Sequence, residues 1–477
     1  MNAQINPEFT SMFREYDIRG RVSANELCDE NVYRIIKAYA RYLREKNIGR
    51  AVVGYDNRKC SAGFADAAIK ALCEMGIEVI FIGLCVTPTV YYAQYLYESE
   101  GAVMITASHN PDGWSGFKLG KGYSKTLEPD EIKLIYDYTI HPVDGDASVP
   151  GTVRTATDTW PNYIDAIVSR IKMGPKKIRV VLDAGNGGAG LFAYEIFQRL
   201  GCITFQLNCD PDMDYPHYFP NPSNVESREA IKSLVVHPYI QADAGLMFDG
   251  DGDRLGVVDE TGGDIWSDII LAVLSRQLLE KKPDAKIVYD VKCSTTLQEV
   301  IDSYHGTGVM WKTGHSYIKS KMQALGAELA GERSGHIFFG GDDYFGFDDG
   351  LFVGAKLVEY LSHTEESLSE IVASFPQYVT SPEIKAYCGD TVKYGVVDAI
   401  VGVMKERFPG QVIDINGARV QFEHGWGLVR ASSNLPEIVL IFEADTKEHL
   451  LEIRSEFKQI TDGYAEISQE WENDIAN

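Results

Sequence analysis

The chain has 477 residues, 45% hydrophobic and 24% charged, and 45 Lys and Arg against 69 Asp and Glu give a net charge of −24. This composition excludes wholesale disorder and fibrous repeats, and a chain this long divides into several cores, about three or four at roughly 150 residues each. The acidic balance argues against a nucleic-acid or anionic-membrane binder, since both need a basic face.

The N-terminal stretch MNAQINPEFTSMFREYD lacks a basic region followed by an apolar one, so no secretory signal is expected. The longest apolar run, Val79 to Ala93, is shorter than the roughly 20 residues of a membrane span and is broken by Pro88. The eight cysteines are scattered without a CxxC. They are expected to be buried thiols of a cytoplasmic protein rather than disulfides or zinc ligands.

An apolar strand ending in Asp occurs three times along the chain: AVVGYD to Asp56, RVVLD to Asp183 and KIVYD to Asp290. A helix pattern, a glycine (Gly76, Gly201, Gly306) and a second strand (EVIFIGL, CITFQL, GVMW) follow each. Each unit predicts strand–helix–strand, the seed of a parallel α/β domain. Three related α/β domains in tandem are expected, with one large sheet as the alternative. After them YGVVDAIVGVMKERFPG predicts a helix. Short strands (DINGARVQFEHG, WGLVRAS, EIVLIFEA) and a helix from about Thr446 then predict a small α+β domain. Gly, Pro, Thr and Ser cluster near Gly151–Asp158, Glu260–Gly263 and Phe375–Pro382. The expected domains are therefore 1–154, 155–260, 261–375 and 376–477, around a central active-site cleft.

Chemistry gathers in a few loops. GAVMITASHNP runs an apolar strand into Ser108 and His109, and Pro111 and Gly113 force a turn. That places Ser108 on an exposed loop at a strand's C-terminal end, where open α/β sheets bind ligands; taken alone, such a serine also reads as a plain turn residue. Lys118 follows within reach. DAGNGGAG lacks the Gly-Lys-Ser/Thr of a P-loop and reads as a tight strand-to-helix turn. LMFDGDGDR places Asp249, Asp251 and Asp253 at alternate positions, and such crowded carboxylates favour a hard divalent cation. An EF-hand is weighed because Glu260 falls at its twelfth position, but Arg254 stands where that loop needs Gly. A solvated acidic turn is the other alternative. KTGH and GERSGH set His315, Glu332, Ser334 and His336 beside glycines, a composition suited to sugar hydroxyls. WGLVRASSNLPE ends a strand on Arg430 with Ser432, Ser433 and Asn434 in the turn, a candidate anion nest.

Together EYDIRG, TASHNP, DGDGDR, KTGH, GERSGH and GWGLVRASS, in that order, resemble the α-D-phosphohexomutase family, most of all its bacterial phosphomannomutase/phosphoglucomutase branch. The resemblance spans residues 10–470. It implies three domains of one α/β type and a C-terminal α+β domain. It implies a cytoplasmic isomerase of carbohydrate metabolism, monomer or dimer, that interconverts hexose 1-phosphate and hexose 6-phosphate of mannose or glucose. Ser108 would be the phosphoserine, and with Asp249, Asp251 and Asp253 would bind Mg²⁺. Hexose 1,6-bisphosphate would be intermediate and activator. The implied catalytic set is Ser108, Lys118, Arg19, His109, Arg254 and His336, with Lys118 as general acid/base. Tyr16, Lys292, His315, Glu332, Arg333, Ser334 and Gly335 would bind the sugar. Arg430, Ser432, Ser433 and Asn434 would hold the phosphate that is not reacting. Two positions depart from the pattern: Arg333 replaces the usual Met of two-sugar enzymes, and RASSNLP replaces the commoner RASNT. A phosphoglucosamine mutase, a Mg²⁺-dependent sugar-phosphate phosphatase and a non-catalytic sugar-phosphate binder are the alternatives.

Overall fold

The computed structural model describes residues 7–142, 147–223, 225–469 and 471. The outer bounds of the expected first and fourth domains, and the start of the stretch read for a signal, lie outside the described residues.

The described residues form four sheets, one for each expected domain. In the first three the recurring strand is central. Arg50–Tyr55 pairs in parallel with Glu78–Leu84 on one side and with Gly101–Ile105 on the other, and Trp114–Gly122 adds antiparallel to the latter. Arg179–Asp183 stands in the same way between Ile203–Leu207 and Ala244–Phe248, with Leu255–Asp259 antiparallel. Lys286–Asp290 stands between Thr307–Trp311 and Leu329–Gly331, with Ile337–Phe339 antiparallel. The third parallel strands are apolar because both faces are covered, and every residue of Gly101–Ile105 and Ala244–Phe248 is buried. The fourth sheet is antiparallel around Gly425–Ala431 and Glu437–Ala444, with the helices Lys393–Arg407 and Lys447–Thr461 packed on it.

The helices follow their patterns. Asp29–Glu45 buries Val32, Ile35, Ile36, Tyr39 and Leu43 at three- and four-residue spacing. Ser294 caps its helix through the Thr296 N–H at 3.1 Å, and Thr446 caps the last helix through the His449 N–H at 3.2 Å. The second and third domains share one apolar core, which Tyr91 and Tyr92 of the first-domain helix Thr87–Leu96 also enter. The fourth domain keeps a core of its own.

Two sequence expectations change. The cluster at Glu260–Gly263 is a hairpin turn within the second sheet, which runs a few residues past the expected end at 260. Asp259 accepts hydrogen bonds from the N–H groups of Thr261 and Gly263 at 2.9 and 2.8 Å, and Asp264–Ile265 returns to extend the second sheet beyond residue 260. All eight thiols are free, but Cys28, Cys60 and Cys73 are only partly buried, because they sit at helix margins rather than in a core. Among the described residues no helix is long and apolar enough to cross a membrane.

Candidate active site

The repeated sheet order decides where the chemistry goes. In each α/β domain one connection joins the third parallel strand to its antiparallel neighbour. Those connections carry Ser108 in the first domain, Asp249–Arg254 in the second and Glu332–His336 in the third. The loop after Gly425–Ala431 brings Ser432–Leu435 from the fourth. One cleft is lined from all four domains.

Ser108 is buried, not exposed, because the acidic loop of the second domain lies against it. Its Oγ donates to Asp249 Oδ2 at 2.8 Å and lies 3.2 Å from His109 Nδ1. Its φ of +50° is unusual for a residue with a Cβ. Arg58 pins this conformation. Its guanidinium donates to the carbonyls of Ser108, Asn110, Pro111 and Trp114, and it pairs with Asp56, the recurring aspartate of the first repeat. Gly250 has no side chain because a Cβ there would lie 2.7 Å from the Ser108 carbonyl oxygen.

Asp249, Asp251 and Asp253 are fully buried. Burial and the two neighbouring carboxylates push the Asp249 pKa well above the usual range. Lys118 bridges Asp251, at 2.8 Å, and Asp253. Burial opposes the charges on Lys118 and Asp251, but their ion pair outweighs it, raising the lysine pKa and lowering that of the aspartate. Thr87, at the start of its helix, donates through Oγ1 to Asp251 Oδ2 at 2.7 Å. One oxygen from each aspartate lies within 4.8 Å of the others, and Asp251 Oδ1 and Asp253 Oδ1 are buried without hydrogen-bond partners. An all-oxygen donor set with unsatisfied lone pairs fits a hard divalent cation. The EF-hand alternative fails, since Glu260 bonds Ser369 instead.

Arg19 donates to Asp17 at 3.0 Å and to Asn110 at 3.2 Å. Arg254 Nε donates to His336 Nε2 at 3.0 Å, and His336 Nδ1 lies 2.8 Å from Asp348, which Lys319 also faces. Burial, then Arg254 and Arg19, push the His109 pKa well down. Burial and Lys319 lower that of His315 to about 4, although Asp17 pulls it the other way. Both ring nitrogens of His315 lack hydrogen-bond partners, and Tyr16 packs edge-on against the ring at 4.9 Å. Glu332 accepts from the Gly314 N–H at 2.5 Å, and Lys292 donates to Glu383 at 2.8 Å. Ser334 lines the cleft beside them.

Arg430 Nε donates to Asn416 at 2.9 Å, and its Nη2 donates to Ser433 Oγ at 3.2 Å. Ser432 Oγ accepts from the Leu435 N–H at 3.2 Å, so it shapes the turn. Asn434 Oδ1 is buried without a partner. Glu15 reaches this loop from the first domain, accepting from Ser433 at 3.1 Å and Tyr394 at 2.7 Å.

Tyr16, Arg19, His109, Lys118, Arg254, Lys292, His315, Glu332, Ser334, His336, Arg430, Ser432, Ser433 and Asn434 thus line one cleft, with Ser108 and the three aspartates beside it. Two expected sugar residues do not line it. Arg333 turns away to pair with buried Asp268. Gly335, at φ +110°, lies against Arg254 and accepts the Leu255 N–H through its carbonyl, so it joins two domains. Sequence reading missed Asp17, Arg58, Thr87, Asp348 and Glu15. Glu15 and Asp17 sat inside a quoted motif and Arg58 stood two residues after a recurring aspartate; Thr87 and Asp348 carried no local signal.

Family models match the chain in the order of its sheets. Residues 10–142 match phosphoglucomutase/phosphomannomutase alpha/beta/alpha domain I, 161–263 domain II, 266–378 domain III, and 383–460 the C-terminal domain. The chain belongs to the phosphoglucomutase/phosphomannomutase family. Like other members of the phosphoglucomutase/phosphomannomutase family it is an enzyme, a phosphotransferase. It is 38% identical over 449 residues to the phosphomannomutase/phosphoglucomutase of Pseudomonas aeruginosa, covering 94% of this chain and 95% of the relative. It is 37% identical over 454 residues to the phosphoglucomutase of Neisseria gonorrhoeae, covering 94% and 96%. The crystal structure of a phosphoglucomutase/phosphomannomutase family protein from Burkholderia thailandensis superposes with a TM-score of 0.87 at 32% identity, covering 95% of this chain and 97% of that one.

Arg58→Ala removes the clamp on the serine loop and strands Asp56. Breaking a buried pair costs about 3–5 kcal/mol. A lowered melting temperature is expected together with a loss of mutase turnover of more than about a hundredfold, measured side by side. For His315, a folded pKa of about 4 lies below the free imidazole value near 6.5. Between those values the unfolded chain binds the extra proton, so this residue's contribution to stability falls as pH drops from about 6.5 to 4. An NMR titration is expected to find its ring still neutral at pH 5.5.

Proposed function

We propose that the enzyme interconverts hexose 1-phosphates and hexose 6-phosphates of mannose or glucose through a phosphate carried on Ser108. One observation carries the reading: two separate anion seats share one cleft. Lys118, Arg19 and Arg254 surround the serine, and Arg430 with Ser433 and Asn434 faces the same space from another domain. A phosphatase needs the first seat only. A mutase must also hold the phosphate that is not reacting.

Phosphate monoesters react slowly unaided, so catalysis lies in positioning and charge stabilisation. In the first half-reaction the P–Oγ bond of Ser108 breaks, and a P–O bond forms to the free hydroxyl of the bound sugar phosphate. Lys118, held protonated, gives a proton to the serine oxygen. Neutral His315 or His109 accepts the hydroxyl proton. The product is the hexose 1,6-bisphosphate. It turns end over end, and its other phosphate returns to Ser108 by the reverse of these steps. Glu332, Ser334 and Lys292 orient the sugar. Asp249, Asp251 and Asp253, with the phosphate of Ser108, would hold Mg²⁺. When bound there, Mg²⁺ supplies positive charge to the transferring phosphoryl group. Eight free thiols support a reducing, cytoplasmic setting.

Arg430→Ala loses a forked grip on a dianion, and a charge-assisted hydrogen bond contributes about 1.5–3 kcal/mol. A fall in kcat/KM of about 10- to 150-fold is expected, with more free bisphosphate per turnover by chromatography. Normal turnover without leakage overturns the mutase reading. Exhaustive chelation is expected to abolish turnover and Mg²⁺ to restore it, while Asp251→Asn weakens Mg²⁺ binding measured calorimetrically. Unchanged turnover after chelation overturns the metal assignment.

A further inference from the structure

The sequence places Arg333 in the sugar site, between Glu332 and Ser334; the fold turns its side chain the other way. Its backbone N–H donates to Asp290 Oδ1 at 3.2 Å, and the other oxygen of Asp290 accepts from Thr313, a cleft residue, at 2.8 Å. That fixes the main chain of the sugar loop on the third domain. The guanidinium then reaches two other elements. It donates to Asp268 at 3.1 Å, on the helix Ser267–Lys281, and to Thr380 Oγ1 at 3.0 Å. Thr380 lies in Val379–Thr380, the strand by which the chain enters the fourth sheet. Trp266 lies under the guanidinium, its ring centre 5.4 Å away. Three residues after Thr380, Glu383 returns to the cleft to pair with Lys292.

The surroundings show what this arginine does. It is nine-tenths buried, yet it borders a cavity of about 230 Å³ shared with Trp266, Phe375 and Tyr378. At this junction the packing is open, so directional polar bonds, not a filled core, fix where the strand sits. One face of the fourth sheet has its own core and the other packs Trp426 and Leu428 on Val291 of the third domain, while this strand is the covalent path between the sugar loop's domain and the phosphate loop's domain.

We propose that Arg333 is a positioning residue that ties the sugar loop to the strand carrying the fourth domain, so that the sugar seat and the second phosphate seat keep one fixed separation. A ligand held at both ends needs that separation. Loosening it leaves the ligand gripped at one end at a time. The kinetic consequence rests on the mutase reading; the coupling itself does not.

The test uses the full chain with Arg333→Met, Arg333→Lys and Thr380→Val. Met keeps an unbranched apolar stem beside the cavity, so the fold is expected to persist, as checked by thermal melting. Hydrogen–deuterium exchange is expected to rise in residues 332–336 and in 379–383 together, in both Arg333→Met and Thr380→Val. In the coupled mutase assay Arg333→Met is expected to lower kcat/KM about tenfold, chiefly through KM, and to release several times more free bisphosphate. Arg333→Lys, which keeps one charged bond, is expected to recover part of both effects. Exchange that rises around 332–336 alone, or a Thr380→Val protein that behaves as wild type, overturns the coupling. Unchanged KM and bisphosphate release in Arg333→Met overturn its role in catalysis. A wild-type protein that forms no bisphosphate defeats the mutase reading, while the exchange data still decide the coupling.

Discussion

Everything around the cleft depends on neutralising three carboxylates that the fold has buried together. Asp249, Asp251 and Asp253 lie out of water, and unpaired buried charge is costly. Lys118 comes from the first domain to meet two of them, and Arg254 comes from their own loop. The ion pair therefore joins two domains as well as forming a site. It also reconciles a protein of net charge −24 with an anionic ligand, since the cations are concentrated where the carboxylates require them.

The three α/β domains divide one topological position among three tasks. The same strand-to-antiparallel-strand connection carries a buried serine, a cluster of carboxylates and a polar loop suited to hydroxyls. Each connection is a short loop beginning at a buried apolar strand, so its side chains start from a rigid base. The fourth domain has a different sheet and a separate core. It meets the first through Glu15 and through the Arg14–Asp390 pair at 3.0 Å, and meets the third through Trp426 and Leu428 packed on Val291, through Arg419 at the Val291 and Cys293 carbonyls, and through Arg333 and Thr380.

Local pattern carried the sequence reading wherever function follows from local structure. The three Asp-ending strands, the aspartates at alternate positions and the Arg430 turn are all visible in short windows. What escaped depends on contacts distant in the chain. Ser108 reads as exposed because the loop that covers it lies in another domain. Arg333 reads as a sugar ligand because its neighbours read that way too; only the fold reveals Asp268 and Thr380 waiting on the other side. Asp264–Ile265 is too short to register as a strand without its partner Leu255–Asp259. Arg58 looks like an ordinary surface charge until the loop it holds is in place, and Glu15, though it opens the EYDIRG motif, shows no partner until the fourth domain's loop meets it.

If Ser108 carries the phosphate as proposed, its depth has a consequence for how the enzyme is kept charged. Its hydroxyl lies behind the acidic loop, with only 1% of the residue exposed. A kinase or a phosphatase acts on segments it can draw into its own active site, and this serine sits on a loop clamped by Arg58 at four carbonyls. With the domains arranged as they are here, the phosphate proposed for this serine is within reach of a small molecule in the cleft and out of reach of another protein's active site. On the phosphoserine reading proposed above, the enzyme's readiness to work follows the supply of its own sugar phosphates, not the signalling machinery of the cell.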